Sequence, residues 1–274
     1  MSVELTVLVD NHSQSPDLLT EHGLSILIRG PDLTVLFDAG ATGQALKRNA
    51  EALSVDLAAT DATVVSHGHY DHTGGLAAAV ERRSGLDLYA HPGAFVRRWA
   101  EKPGQSLQDV SCPHSLEKLT RAGADFHPVL APERLASWLL LSGPVGGPRW
   151  GPDTFLVHKG DDMVADGFED EIFCLIRGDR GWTVLTGCCH RGLKNILRAA
   201  KFLAHDEPIV GIVGGVHLRN APPEELLEVV ELLKSHGQPE LYACHCTGED
   251  AIHFLQHRLG DRVHAISAGS RMNV

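Results

Sequence analysis

The hydrophobic positions of this chain fall into short runs of two kinds. Runs rich in β-branched and aliphatic residues predict strands at 3–9, 24–29, 33–37, 62–65, 86–90, 171–177, 182–186, 208–213 and 240–244. Segments with apolar residues at helical spacing predict helices at 42–53, 74–83, 115–122, 132–138, 193–204, 222–235 and 249–259. Strands and helices occur in both halves of the chain. The pattern therefore predicts an α/β (α+β) fold.

The segment 92–168 breaks this pattern. It is rich in proline and glycine and has little periodicity, and a stretch of that length without regular structure is uncommon in a compact domain. We interpret it as an insertion and crossover within a single domain spanning 1–274, one that partly covers the functional site. A crossover that only supports the scaffold is the alternative.

Composition and charge narrow the class of protein. The 274 residues are 43% hydrophobic and 22% charged, as in ordinary globular proteins, and the net charge of −11 argues against a nucleic-acid partner. No apolar run approaches the length of a membrane span, and the first ten residues resemble a strand rather than an export signal. The six cysteines are not spaced like a disulfide framework. We therefore expect a cytoplasmic protein with a small-molecule substrate.

The densest chemical feature is the sequence His-Gly-His-Tyr-Asp-His at 67–72. It places His67, His69, Asp71 and His72 on a loop between a predicted strand and a predicted helix, where ligands of α/β sheets gather. Imidazole and carboxylate together suit zinc, iron or manganese, and a catalytic metal needs three or four such ligands beside an open position. A satisfied surface histidine cluster is the alternative, which this spacing disfavours.

The histidine motif resembles the signature of the metallo-β-lactamase superfamily. Five further segments match in order along the chain, and these are 21–25, 36–40, 187–192, 214–218 and 244–248. The series is similar to one branch, the dihydropterin-ribofuranosylaminobenzene-phosphate synthase-like proteins and their bacterial relatives. The resemblance implies an αββα sandwich of two mixed β-sheets flanked by helices. It also implies one or two bound divalent metal ions.

The resemblance assigns a role to each residue of the motif. It implies that His67 and His69 hold one metal and that Asp71 and His72 hold the other. Asp71 is also the expected catalytic residue, because it can orient the attacking water. Zinc is the metal most expected, with manganese, iron or magnesium as alternatives.

Residues at other strand ends complete the expected site. His245 is expected as the last ligand of the second metal, and His190 as a further ligand, with a supporting or surface role as its alternative. Asp38 is expected to orient a ligand histidine through its far ring nitrogen, the alternative being an ordinary turn. His217 is expected either to contact substrate or to be a buried structural histidine.

The chain departs from the superfamily pattern at one ligand. Most relatives carry a bridging aspartate after Thr-Gly at the end of the strand 182–186, whereas this chain has Cys188 there. The usual Pro-Gly-His-Thr segment upstream is replaced by 167–171. Either an acidic residue at 169–171 substitutes, or His190 fills the vacancy. A sulfur ligand favours zinc, and an oxygen-rich set favours manganese, iron or magnesium.

Several functions are compatible with such a site. The first is a metal-dependent hydrolase that activates water against an ester, a lactone or a phosphoester. The second is a pterin-dependent transferase similar to the synthase branch. A binding or sensing protein without turnover ranks lower, because the ligand cluster is retained whole. A di-iron redox protein with a flavin partner ranks lower still, because we expect no flavodoxin-like domain from these 274 residues.

Overall fold

The fold is known from a computed structural model that describes residues 2–101, 104–148 and 154–274. Its strands are β1 (Glu4–Val9), β2 (Ser25–Arg29), β3 (Thr34–Phe37), β4 (Ala62–Val64), β5 (Leu86–Ala90), β6 (Arg98–Ala100), β7 (Gln108–Asp109), β8 (Ala124–Pro128), β9 (Glu133–Ala136), β10 (Leu139–Leu141), β11 (Phe155–Lys159), β12 (Asp162–Ala165), β13 (Cys174–Gly178), β14 (Gly181–Thr186), β15 (Ile209–Gly214), β16 (Glu240–Ala243), β17 (Val263–Ala265) and β18 (Arg271–Asn273). Its helices are α1 (Gly43–Ala52), α2 (Tyr70–Thr73), α3 (Leu76–Arg82), α4 (Leu116–Arg121), α5 (Leu193–Leu203), α6 (Pro223–Ser235) and α7 (Glu249–Leu259). None of the helices in these three ranges is long and apolar enough to cross a membrane.

Two large mixed sheets form the centre of the molecule. The first has the order β18-β1-β2-β3-β4-β5-β8, and the second has the order β17-β16-β15-β14-β13-β10-β9. In each sheet one half is antiparallel and the other parallel, the change falling at β3 in the first sheet and at β14 in the second. Parallel strands need helical crossovers, and these are supplied by α1 and α3 in one half and by α5 and α6 in the other.

The buried apolar residues form three layers of packing. One cluster joins the facing sides of the two sheets and includes Leu5, Phe37, Leu139 and Val213. The other two clusters pack helices on the outer sheet faces: α1 and α3 on the first sheet, and α5, α6 and α7 on the second. This arrangement is an αββα sandwich, which confirms the predicted fold class.

The segment 92–168 contains more regular structure than its composition suggests. Strands β6, β7, β11 and β12 form a small third sheet of order β12-β11-β6-β7, which we call the cover sheet. The helix predicted at 132–138 is wrong, because Glu133–Ala136 is a strand paired with β10. Seven residues are too few for periodicity to separate a helix from a strand, and the partner strand decides. That 1–274 forms one domain stays a prediction.

The topology brings several strand ends to one edge of the sandwich. Asp38 follows β3, the histidine motif follows β4, and Cys188 follows β14. His217 follows β15 and His245 follows β16. Because parallel strands end at the same sheet edge, these five points of the chain lie near one another despite their separation in sequence.

Candidate metal centre

The histidine loop, which we define as residues 66–73, turns sharply after β4. His69 precedes the single turn of α2, which carries Asp71 and His72. Gly68 lies so close to its neighbours that a Cβ atom would come within 2.1 Å of the carbonyl oxygen of Ala94. The loop therefore needs glycine between its first two histidines, and all three of its histidine side chains are buried.

His67, His69 and His190 meet in what we call the three-histidine group. Each can offer one ligand atom such that all three atoms lie within 4.8 Å of one another. The ring centroids of His67 and His69 are 4.7 Å apart, and that of His190 lies 4.8 Å from each. Burial lowers the pKa of all three side chains, that of His69 to about 3. They are therefore neutral near pH 7, the form that ligates metals.

Asp71, His72, Cys188 and His245 form a second set, the mixed group, whose ligand atoms also lie within 4.8 Å of one another. Nε2 of His72 is 3.1 Å from Sγ of Cys188. Oδ2 of Asp71 lies 3.7 Å from Nε2 of His72 and 3.4 Å from Nε2 of His245. One carboxylate, two imidazoles and one thiol thus converge on a common point.

Opposing effects set the charges in the mixed group. Burial by itself would raise the pKa of Asp71, but His72 and His245 hold it well below its ordinary value. Burial by itself would lower the pKa of His72, but Asp38 and Asp71 raise it to about 9. Burial lowers the pKa of His245 to about 4 and raises that of the Cys188 thiol. Without a cation, the carboxylate is balanced mainly by a protonated His72.

Unpaired buried nitrogen atoms indicate that these groups suit a metal. Nε2 of His67, of His69 and of His190 is buried and has no hydrogen-bond partner among the described residues. Buried polar atoms in folded proteins nearly always have a partner, because leaving one without a partner costs about 1–3 kcal/mol. Three such histidines, each with a ligand atom within 4.8 Å of those of the other two, are explained by a shared cation, for which imidazole nitrogen is a preferred ligand.

The far ring nitrogen of three histidines is held by an oxygen acceptor. Nδ1 of His72 lies 2.6 Å from Oδ2 of Asp38, and Nδ1 of His67 lies 2.9 Å from Oγ of Ser66. Nδ1 of His245 lies 3.0 Å from Oδ1 of Asn11. Each contact holds a proton on Nδ1 and turns Nε2 into its group, where it can offer a lone pair to a bound metal.

Asp38 supports both groups. Besides His72 it accepts hydrogen bonds from the backbone N–H and the hydroxyl of Ser66, both at 2.7 Å. Ser66 in turn contacts His67. Asp38 therefore contacts the mixed group directly through His72 and the three-histidine group through Ser66. Asn11 and Ser66 were not expected, since a lone Asn in a polar loop and a Ser beside a His carry no distinctive sequence signal.

The two alternatives for the missing aspartate can be compared directly. Glu169 is exposed and pairs with Lys159 at 3.2 Å. Asp170 pairs with Arg98 at 2.6 Å, and the carboxylate of Glu171 accepts the backbone N–H groups of His190 and Arg191. The acidic residues at 169–171 therefore have other partners. Cys188 joins the mixed group and His190 joins the three-histidine group.

A buried ion-pair network joins the cover sheet to the histidine loop. The guanidinium of Arg98, on β6, lies 2.6 Å from both Asp166 and Asp170. Asp170 also accepts the backbone N–H of Gly68 at 2.8 Å. All three charged side chains are at most 3% exposed. The sequence does not reveal this network, because its members are widely separated in the chain.

A cleft of about 680 Å³ opens beside both groups. It is lined by His22, His69, Tyr70, Asp71, Ala100, Gln108, Asp109, Val110, Thr154, Phe155, Cys188, His190, His217, Arg219, Asn220, His245 and Cys246. His217, whose ring lies 4.4 Å from that of His190, borders this space as a substrate-contacting residue would. The cover sheet contributes Phe155 to one wall.

Several strained backbone positions lie around the cleft and the two groups. Asp38, Phe168, Cys189, His217 and His245 all have φ between 49° and 67°, in the left-handed region that side chains other than glycine rarely adopt. Such residues persist only where the surrounding structure fixes them, and they cluster at functional sites. The strain adds an independent reason to place the functional site here.

Comparison with known proteins agrees with this geometry. The family model described as the metallo-beta-lactamase superfamily matches residues 20–164, more than half of the chain and the part that contains the histidine loop. The chain belongs to the metallo-β-lactamase superfamily. As a member it is expected to bind metal, since the superfamily consists mainly of metal-dependent hydrolases. The family resemblance inferred from the motif is thereby confirmed.

Three relatives cover nearly the whole chain. The 7,8-dihydropterin-6-methyl-4-(β-D-ribofuranosyl)-aminobenzene-5′-phosphate synthase of Methanocaldococcus jannaschii is 25% identical over 96% of this chain and 94% of its own. An uncharacterised protein of the same organism is 29% identical over 90% of this chain and 92% of its own. The solved structure of Tm1679, described as a metal-dependent hydrolase of the β-lactamase superfamily, is 28% identical, with 99% coverage of both chains and a TM-score of 0.83.

Proposed function

We propose that this protein is a metal-dependent hydrolase that cleaves an ester, lactone or phosphoester bond in a small molecule. The single observation that carries the proposal is that the three-histidine group and the mixed group open on the same cleft. The similarity of this chain to Tm1679, which covers 99% of both chains, also supports metal-dependent hydrolysis.

The proposed site would hold one ion in each group. His67, His69 and His190 would hold the first, while Asp71, His72, Cys188 and His245 would hold the second, and the thiol favours zinc. Bound metal would supply Lewis acidity and make water a nucleophile near neutral pH. Members of both groups line the same cleft, so a bond held there would be within reach of both.

Asp71 is the residue we assign to orienting the attacking water. Its carboxylate lines the cleft, and the neighbouring histidines keep it ionised, so it can accept a hydrogen bond from water. Nε2 of His22, at the entrance, lies 3.2 Å from its Oδ2. His22 stacks on His245 with ring centroids 5.0 Å apart, which fixes its orientation over the carboxylate.

The test is turnover of a panel of aryl esters, lactones and phosphodiesters by protein loaded with zinc or manganese. Chelation should abolish turnover, and metal should restore it. Asp71→Asn should lower kcat by at least about a hundredfold, in line with the usual effect of losing a proton-transfer or water-orienting group. The matched control is Asp261→Asn, at an exposed carboxylate after α7 that belongs to neither group. A panel that stays unhydrolysed by metal-loaded protein contradicts the proposal.

One observation favours a second function. The synthase of Methanocaldococcus jannaschii aligns with 96% of this chain, which supports a transferase that joins a pterin methyl carbon to an aromatic ring or amine. Calorimetric titration of metal-loaded protein with reduced pterins separates the two ideas. Pterin binding without ester turnover favours the transferase, and no pterin binding excludes it.

A further inference from the structure

The cleft continues into a side pocket that the ligand groups do not account for. This side pocket has a volume of about 430 Å³, and its lining includes Phe155, Phe168, His190, His217, Arg219 and Glu225. Phe155, His190, His217, Arg219 and Asn220 also line the cleft itself. A molecule whose reacting bond lies at the two groups would therefore have room for a substantial second part beyond His190.

Aromatic rings form the wall of the side pocket nearest the reacting centre. Phe168 stacks on His190 with ring centroids 4.0 Å apart and ring planes at 3°. Phe155 packs edge-on against Phe168 at 5.5 Å, and His217 lies 4.4 Å from His190. Phe168 is fully buried, whereas Phe155 and His217 are only partly covered. An apolar aromatic surface is thus presented immediately beside a proposed ligand.

This wall has two independent supports. Phe155 comes from the cover sheet, which Arg98 ties to the histidine loop through Asp170. His217 and Asn220 lie after β15 with φ of 50° and 63°. This left-handed backbone conformation is energetically unfavourable for residues other than glycine, so the surrounding structure must hold both residues in place. Pre-formed, partly apolar concavities with a few placed polar groups are typical of small-molecule sites.

A single strong cation borders both spaces. Among the described residues lining the cleft and the side pocket, Arg219 is the one arginine or lysine. Its backbone N–H donates to the carbonyl of Cys246 at 3.1 Å, and its Nη2 donates to the carbonyl of His245 at 3.5 Å. Its side chain is otherwise exposed. Three carboxylates are among the described residues that line the two spaces: Asp71 belongs to the mixed group, Asp109 pairs with Arg97 at 2.6 Å, and Glu225 lies on the wall of the side pocket. A guanidinium at a cleft mouth is well suited to a carboxylate or phosphate of a ligand.

We propose that the substrate is an aromatic anion. Its ring would lie in the side pocket against Phe155 and His217, and its carboxylate or phosphate would pair with Arg219 while the reacting bond faces the two groups. This inference rests on the proposed function for the position of the reacting bond. It adds the substrate class, and it assigns Phe155 and Arg219 as residues that determine specificity.

The test uses calorimetric binding of three probes to the metal-loaded protein. Phenylphosphonate carries ring and charge, methylphosphonate only the charge, and benzyl alcohol only the ring. We expect phenylphosphonate to bind about tenfold more tightly than methylphosphonate, and Arg219→Gln to weaken phenylphosphonate about tenfold, as for loss of a charge-assisted pair. Phe155→Leu should remove the preference for the ring. Benzyl alcohol should bind Arg219→Gln and the unchanged protein alike.

Matched controls separate these effects from general ones. Arg258→Gln removes an exposed arginine on α7 that lies over Phe254, and Phe202→Leu removes a ring that is 80% exposed on α5. Neither change should alter probe binding. A phosphonate held only by the metals would bind Arg219→Gln as it binds the unchanged protein, which would overturn the proposal. Equal binding of phenylphosphonate and methylphosphonate, or binding of no probe, would overturn it too.

The outcome is independent of the hydrolase assay. Probe discrimination without hydrolysis of any panel member would keep the aromatic-anion site and reject the reaction. Hydrolysis without probe discrimination would keep the reaction and reject the substrate class.

Discussion

Nε2 of His72 lies 3.1 Å from Sγ of Cys188, although 116 positions separate the two residues in the chain. The superfamily pattern leads one to expect a carboxylate after Thr-Gly at this strand end, and this chain has a thiol there. A carboxylate offers hard oxygen donors, whereas a thiolate offers a soft sulfur donor that suits zinc. The two groups of this site therefore differ in their donor atoms: the mixed group includes the sulfur of Cys188, whereas the three-histidine group offers only nitrogen.

Replacing Cys188 should change which metal the protein prefers. Cys188→Ser should lower zinc affinity at least about tenfold, because a soft thiolate is exchanged for a poor ligand. Cys188→Asp should shift the preference toward manganese or magnesium. Competition with a chromophoric chelator and elemental analysis measure both effects. Cys112→Ser, at a half-buried cysteine outside both groups, is the control, and equal zinc affinity in all four proteins would show that Cys188 is no ligand.

Asp38→Asn should weaken metal binding in both groups. The change removes the charge that holds Nδ1 of His72 and weakens the acceptor that holds the hydroxyl of Ser66, which contacts His67. Loss of such supporting contacts typically costs about 10–100-fold in metal affinity. The chelator competition above measures it. Asp61→Asn, at the partly exposed start of β4, is the control and should bind metal normally. Unchanged affinity in Asp38→Asn would mean that the histidines are oriented by packing alone.

Arg98→Met should unfold the protein more easily. It leaves Asp166 and Asp170 buried without their partner, and such a loss costs about 3–5 kcal/mol of unfolding free energy. Arg97 is the matched control, since it also pairs with an aspartate at 2.6 Å but is 69% exposed, so that Arg97→Met should cost under about 1 kcal/mol. Urea unfolding measures both. If the two variants lost equal stability, the buried network would be no more important than a surface pair.

His69 gives the metal-free protein a predictable dependence on pH. Burial lowers its pKa to about 3 in the folded state, while its ordinary value is 6.5. Below pH 6.5 the unfolded chain takes up a proton that the folded protein does not, so this side chain destabilises the fold as pH falls. Between pH 7.5 and 5.5 the resulting loss of unfolding free energy is about 1.4 kcal/mol.

The contribution of His69 is measured as a difference between proteins. Urea unfolding of chelator-treated protein at the two pH values should show a loss about 1.4 kcal/mol smaller in His69→Gln than in the unchanged protein. His253→Gln, at an exposed histidine on α7, should leave the loss as it is. Identical losses in His69→Gln and the unchanged protein would contradict the buried, neutral state of His69.

Local sequence was enough for much of the secondary structure. The apolar runs at 3–9, 182–186 and 240–244 predicted strands that the structure contains as β1, β14 and β16. These strands are buried, so their pattern follows directly from the face that packs in the core. The segment 132–138 failed because its pairing with β10 is a long-range contact, which outweighs local helical spacing.

The residues of the candidate site also fall into those that the local sequence reveals and those that only the tertiary structure reveals. His67, His69, Asp71 and His72 are visible in sequence because one tight loop carries all four. His190 was only one of two alternatives, since choosing it required knowing that Glu171 is occupied by the backbone N–H groups of His190 and Arg191. No local sequence pattern predicted the cover sheet, the Arg98 network or the side pocket.

By itself the sequence determined which residue types could bind a metal and which segments would be buried strands, because both depend on chemistry and periodicity within a few neighbouring residues. The tertiary structure alone decided how the ligands divide into two groups, that Cys188 rather than Asp170 or Glu171 joins one of them, and that aromatic rings and Arg219 border the cleft. These relationships join residues tens to hundreds of positions apart. They exist only once the two sheets have packed and brought their strand ends to a common edge.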